Sequence, residues 1–371
     1  MIRPVKSRKD LKTFIRFPYI LYKDCPNWVP ALEGDEFDTL TPSRNAAFEY
    51  CEAQCFLCEK DGKVAGRVAA IINHNANKLW KSEVVRFGWL DFIEDAQVLH
   101  ELLEAVAAWG IERGCDTMKG PLGFTDMDKE GLLVEGYDRL SPFTCLYNYP
   151  YYDTMLKAEG FSKDEDWLQK LLVIGPELPA KYQYAKLAED RFGISIVKAK
   201  SMRELGKKYG MALFHMYNES FAPLFQFSPL SDEQIRRYLQ TYIPILDHRY
   251  VAICKDSDGK AVGFAFCVPS LSKAVKKSGG KLFPFGWARI LHALRHNDTL
   301  EALMIGVLPE YQQKGAALLL LKYIHENCIS SGITRMIMNP QLETNAKVQT
   351  LWDDYENSLY MRRRSYTKKL V

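Results

Sequence analysis

The stretch Leu303-Met304-Ile305-Gly306-Val307-Leu308-Pro309-Glu310-Tyr311-Gln312-Gln313-Lys314-Gly315-Ala316-Ala317, followed by the apolar run Leu318–Leu321, decides how the chain is read. An apolar strand ends at Pro309, and after Gly315 an apolar periodicity begins that reads as a helix. A helix starting at such a corner leaves its first N–H groups without intrahelical partners. Those donors converge, with the positive end of the helix dipole behind them, so the corner suits an anion such as a pyrophosphate. Small residues at Gly315, Ala316 and Ala317 let phosphate oxygens reach the backbone, and Lys314 adds a mobile positive charge.

The corner belongs to a plan that occurs twice. Cys58–Arg67 and Cys254–Phe264 each read as strand, Asp-Gly turn and strand, a β-hairpin. Each copy continues with a further strand (Val84–Phe92, Leu300–Val307) and a helix closed by glycine (Ala96–Arg113 before Gly114, Ala316–Ser331 before Gly332). A short strand reaching a proline follows in both, Thr117–Pro121 and Arg335–Pro340. Gly62 and Gly259 stand 197 positions apart whereas Gly114 and Gly332 stand 218 apart, so the second copy carries an insertion, located at residues 272–297. The expected architecture is mixed α/β in two tandem lobes, residues 1–175 and 193–371, with a linker and connecting helix over 176–192. At the matching corner the first copy reads Gly88-Trp-Leu-Asp91-Phe-Ile-Glu94-Asp95-Ala96-Gln97. Three carboxylates there cap a helix well but repel a pyrophosphate, so the first lobe is expected to bind none.

Val307, one residue, Pro309-Glu310-Tyr311 and then Gln312-x-x-Gly315-x-Ala317 resemble the acyl-coenzyme A loop of the GNAT superfamily of N-acyltransferases. Looser likenesses at Lys119–Phe124, Gly131–Tyr137 and Tyr151–Phe161 extend the resemblance over most of the chain, to tandem-GNAT bacterial proteins. The resemblance implies two acyl-CoA N-acyltransferase lobes. It also implies a co-substrate, acetyl-CoA or a longer acyl-CoA, held by Val307, Gln312, Gln313, Lys314, Gly315, Ala316 and Ala317. Asn345, opening a helix read to about Glu356, would lie near the pantetheine arm. Seven residues on, where the family commonly carries a tyrosine that protonates the leaving thiolate, this chain has Trp352; Tyr355 and Tyr360 are the candidate substitutes. A primary amine would attack the thioester directly, its carbonyl polarised by a backbone N–H around Gly306–Val307. Glu301 is a candidate base, as are Glu219 and His215 on the helix 211–220; each can equally be solvated or part of the core. A non-catalytic acyl-CoA-binding module stays open because of Trp352. So does an aminoacyl-tRNA-dependent transferase, although the heptad pattern of its helical hairpin is missing.

The acceptor is read from local composition. Residues 272–297 hold six Lys/Arg, two His and no Asp or Glu, and Trp287, Ile290, Leu291 and Leu294 follow the i, i+3, i+4, i+7 spacing of an amphipathic helix. Such a helix can lie on an anionic membrane surface or pack on the protein with its basic face solvated. The first case favours a lipid-like amine, the second a soluble one. Phe214, Tyr217, Phe221, Phe225 and Phe227 form either an acceptor wall or core. The net charge of +3 gives no reason to expect nucleic acid. Apolar runs fall short of the ~18 residues that span a bilayer. Nine scattered cysteines fit reduced thiols in the cytoplasm, at most peripheral to the inner membrane face. Cys51, Cys55 and Cys58 lack a second ligand pair, so no metal is expected.

Overall fold

The computed structural model describes residues 1–243 and 246–370. Its fourteen strands form one sheet. They are β1 (Ile2–Pro4), β2 (Cys51–Lys60), β3 (Lys63–Asn73), β4 (Val84–Phe92), β5 (Thr117–Gly120), β6 (Leu132–Glu135) and β7 (Ser162–Val173) in the first half. The second half adds β8 (Ser195–Ile196), β9 (Val251–Lys255), β10 (Ala261–Pro269), β11 (Thr299–Val307), β12 (Arg335–Ile337), β13 (Gln341–Leu342) and β14 (Asn357–Lys369). The order is β1-β2-β3-β4-β5-β14-β7-β12-β11-β10-β9-β8, with β6 beside β14 and β13 beside β7.

Both hairpins form where the Asp-Gly turns stand. Asp61 and Gly62 have φ of 52° and 72°, the paired left-handed conformation of a tight two-residue turn. In the second copy Asp256 accepts the N–H of Asp258 and of Lys260 and closes a longer loop. The parallel pairs are β4 with β5 and β11 with β12, each joined by a helix, Ala96–Ile111 or Ala316–Ser331. These helices bury Leu99, Leu102 and Val106, or Leu320, Ile324 and Cys328, on the same side of the sheet. Fold class and internal repeat therefore match the sequence reading.

The halves also exchange strands. β14, the last strand made, pairs with β5 and β6, while β7 pairs with β12. β7 and β14 then pair with each other along nearly their whole length. Asp166 on β7 is 0% exposed and accepts from Arg364 (2.7 and 2.9 Å), Arg362 (3.2 Å) and Lys163 (3.2 Å). Burial alone would raise its carboxyl, but these cations outweigh burial and hold it below the usual carboxylate range.

The helix expected after Asn345 is corrected, whereas the one expected over Trp287–Leu294 is present. The helix expected from Asn345 to about Glu356 is only Ala346–Gln349 followed by a 3₁₀ turn, Thr350–Trp352. Trp352 is buried and donates to Gln341 (3.0 Å), which pulls the chain back toward the start of β14. The insertion forms two short helices, Ser272–Ser278 and Gly286–Arg295.

Asp166→Asn is expected to lower the unfolding free energy by about 2 kcal/mol, because it removes the carboxylate that pairs with the half-buried Arg364 and one of the partners of Arg362. Urea titration measures this. The sign for pH follows from the lowered carboxyl: the wild-type advantage is full above about pH 4 and is lost as pH falls through the depressed value.

Candidate active site

β11 and β12 pair at only three positions, Thr299 with Arg335 through Glu301 with Ile337. Beyond that point they diverge, and a cavity of about 420 Å³ opens between them. Met304, Ile305, Gly306 and Val307 line one side, Met336, Met338 and Asn339 the other. The ladder from β10 to β11 is interrupted opposite Phe266 and Cys267, at Leu303, and not at Gly306. Gly306 is instead small for packing: a Cβ there would fall 2.7 Å from the Phe264 ring.

At one end of the cavity is the corner singled out by the sequence. Gly315 (φ 79°) takes the N-cap position of Ala316–Ser331, and no side chain among the described residues caps that helix. Its first N–H groups are therefore available to a bound anion. Gln312 donates to the Val307 carbonyl (3.3 Å), tying loop to strand, and Val307, Gln312 and Ala317 line the cavity. Ala316 is buried, Gln313 exposed, and Lys314 lies over the Tyr311 ring at 4.6 Å. Asn345 also lines the cavity, and its side-chain oxygen accepts from the Val348 N–H (3.4 Å).

The opposite wall joins residues of the first half to two aromatics of the second. Asp126, Asp128 and Glu130 line the cavity together with Trp167, while Phe221 and Phe225 supply an apolar face. The acidic loop is held from behind: the buried Arg86 donates to the carbonyls of Gly123 (3.1 Å) and Gln226 (3.0 Å), and Asn73 to that of Phe124 (2.7 Å). Asp128 accepts the Thr125 N–H (3.1 Å) and fixes the turn. Asp126 accepts from the Tyr217 hydroxyl with one oxygen, and its other oxygen has no partner among the described residues. Burial raises both aspartates to about 6 and Glu130 well above the ordinary range. Lys129, half-buried in the same run, is shifted down by desolvation.

Sequence reasoning missed this group. The signal was the run Asp126-Met-Asp128-Lys-Glu130, which follows the first copy's short strand just as Gln341–Asn345 follows the second's. Of the expected aromatic wall, Phe221 and Phe225 line the cavity, while Phe214, Tyr217 and Phe227 are buried in the core.

The candidate acids and bases lie elsewhere. Glu301 is 2% exposed and accepts from Ser270 (2.5 Å) and Ser272 (3.1 Å); burial pushes its carboxyl up to about 7. Glu219 and His215 are exposed, one turn apart on the outer face of the helix Met202–Phe221, where His215 meets Asp232 at 3.0 Å. The Tyr355 hydroxyl bonds to Tyr182 (2.5 Å) and His325 (3.1 Å), and that of Tyr360 to the Leu140 carbonyl (2.8 Å). Burial raises both phenols to about 12. Cys51, Cys55 and Cys58 are all buried thiols.

The matching corner of the first half is closed. Asp95 caps its helix, accepting from Gln97 (3.0 Å) and Val98 (3.2 Å), and pairs with Lys60. Here too the parallel strands diverge after three positions, but residues 120–124 fill the gap. Leu122 donates to the Phe87 carbonyl (2.9 Å), and a Cβ on Gly88 would fall 2.6 Å from the Leu122 carbonyl oxygen.

Residues 210–353, which contain the cavity's second-half wall, match the Acetyltransferase (GNAT) family. Among curated relatives, the chain is 26% identical to "Bacterial ceramide synthase" of Caulobacter vibrioides, over 99% of this chain and 97% of that one. It is 27% identical to "Protein YghO" of Escherichia coli, over 100% and 95%. Among solved structures, a tandem GNAT protein from the clavulanic acid biosynthesis pathway superposes with a TM-score of 0.57 at 12% identity, covering 100% of this chain and 98% of that one. Residues 210–353 therefore match the GNAT acetyltransferase family, and over its whole length the chain shares the fold of a tandem GNAT protein.

Proposed function

We propose that the chain transfers an acyl group from coenzyme A to the primary amine of a lipid-like acceptor, in the cavity between β11 and β12. One observation carries this reading: a single cavity joins an uncapped helix start in the second half to a carboxylate-lined, aromatic wall from the first. The helix start suits a pyrophosphate, the diverging strands a pantetheine arm, and the carboxylates an ammonium group. The apolar face of Trp167, Phe221 and Phe225 suits the chain of an amphiphile. Similarity to a ceramide synthase supports an amine of that class.

Asp126 is the group we assign as base, since Asp128 is committed to its turn and Asp126 keeps one oxygen unpartnered. The ammonium gives one proton to this carboxylate, and the neutral amine attacks the thioester carbonyl carbon. The C–S bond then breaks, and the second N–H proton leaves with the coenzyme A sulfur. We assign donor contacts to Val307, Gln312, Gln313, Lys314, Gly315, Ala316, Ala317 and Asn345. Glu301, Glu219, Tyr355 and Tyr360 receive no step, because their positions keep them outside the cavity lining. The first lobe serves as acceptor wall and binds no coenzyme A. The reaction is placed in the cytoplasm, with peripheral contact to a membrane through residues 272–297.

A binding module without turnover is the second reading, favoured by Trp352, which is 1% exposed where the family commonly has a proton donor. The two separate on turnover of acyl-CoA with a panel of single-chain amines.

Calorimetry is expected to find one coenzyme A site per chain. Gly315→Glu should abolish it, since the new side chain brings a carboxylate to the anion corner, strains a φ of 79° and has Ala188 3.0 Å away. Heat of binding retained in that variant would refute the loop assignment. Asp126→Asn should lower kcat/KM about 10²-fold while leaving coenzyme A affinity intact. The wild-type rate should rise with pH through about 6, as the Asp126 carboxyl loses its proton, and the variant should lose that limb. An unchanged acid limb in the variant would remove Asp126 from the role.

A further inference from the structure

The insertion forms a second cavity on the same sheet, and it has no part in the chemistry above. A groove of about 880 Å³ runs beneath the helix Gly286–Arg295. Lys273, Lys277, Arg289, His292 and His296 line it, the two histidine rings stacked at 4.6 Å. Arg335 lines it too but is paired with Asp298 at 2.7 Å. The floor is apolar, with Leu171 and Ile337.

Beside the groove, which Phe285 lines, the same segment carries an apolar and bare rim of side chains. Phe283 is 78% exposed, Phe285 68%, Trp287 49% and Leu291 44%. This is not a loose segment that happens to stick out. Ile290 and Leu294 pack on Val29, Leu271 and Val275. Lys276 reaches into the first half to donate to the carbonyls of Cys25 (3.0 Å) and Trp28 (3.2 Å). The four-residue apolar stripe of the sequence is thus divided, Ile290 and Leu294 inward, Trp287 and Leu291 outward. Large aromatics held rigidly in water, next to cations and without an acid in their own segment, need a cover that is apolar in depth and anionic at its surface.

We infer that the groove and its rim dock the protein on an anionic bilayer, with a lipid phosphate headgroup seated among Lys273, Lys277 and Arg289 and the rim aromatics inserted beside it. The inference rests on the lipid-like acceptor proposed above and adds where that acceptor is met. On β12 the side chains of Arg335 and Ile337 line the groove and Met336 lines the reaction cavity, so the two share a three-residue partition.

The test is flotation of the full chain with vesicles of phosphatidylcholine alone and of phosphatidylcholine with one quarter phosphatidylglycerol. Salt-sensitive binding to the second composition alone is expected. Lys273→Gln with Lys277→Gln should weaken it about thirtyfold, as two charges leave the surface. Phe283→Ser with Trp287→Ser should weaken it similarly while leaving the salt dependence unchanged. All these side chains are exposed, so turnover of a water-soluble amine should survive in both variants. Equal binding to both vesicle types, or to neither, overturns the inference. So does retention of inorganic phosphate by the groove without vesicle binding. If light scattering finds a dimer that Phe283→Ser with Trp287→Ser dissolves, a second copy covers the rim and the inference falls. Vesicle docking without any coenzyme A binding would instead sink the transferase reading alone, whereas solution turnover without docking would sink only the bilayer.

Discussion

The register of β14 against β7 is the constraint on which the rest of the structure depends. Three successive arginines fix it. Arg362 and Arg364 turn to the face that holds Asp166, and Arg363 turns to the other, where it is 0% exposed and donates to Gln169 (3.2 Å). A slip of one residue would send each guanidinium to the wrong side, and no shift of side chains could repair that. Gln169 passes the order on, donating to the Met338 carbonyl (3.1 Å) in the cavity wall. The width of the cavity is in this way tied to the seam between the halves.

That seam also explains how two copies of one fold make one site. Each copy has a parallel pair that diverges after three positions. In the second the divergence stays open and is lined by both halves; in the first it is filled by the chain segment that leads to Asp126. The same segment therefore closes one gap and furnishes the other. Electrostatics follow the same division, with helix N–H groups at one end of the cavity and desolvated carboxylates at the other. A donor carrying phosphates and an acceptor carrying an ammonium would each find its own end.

What the sequence made legible was whatever is written locally. The Asp-Gly hairpins, the strand–corner–helix at Gly315 and the glycine-closed helices depend on residues within a few positions of one another, and all three are found in the structure. The strand exchange was not legible, since nothing inside Asn357–Lys369 says that its neighbour will be Thr117–Gly120. The acidic loop escaped for a related reason: as a sequence it reads as a solvated charged run, and only Arg86 and the helix bearing Tyr217 turn it inward. Helical spacing gave the apolar stripe at Trp287–Leu294 but could not tell which half of it would find a partner. Glu219 and His215 illustrate the converse, because a helix offers several faces and theirs is the wet one.

The two helix starts, finally, solve one problem in opposite ways. Orphan N–H groups call for an anion, and Asp95 supplies it permanently to the first helix from within the chain. Gly315 supplies nothing to the second. One half therefore carries its counter-charge as part of its own fabric, while the other leaves its place open, and an anion bound there from solution would stabilise the fold in proportion to its supply. If the proposed donor is that anion, its supply would set durability as well as rate.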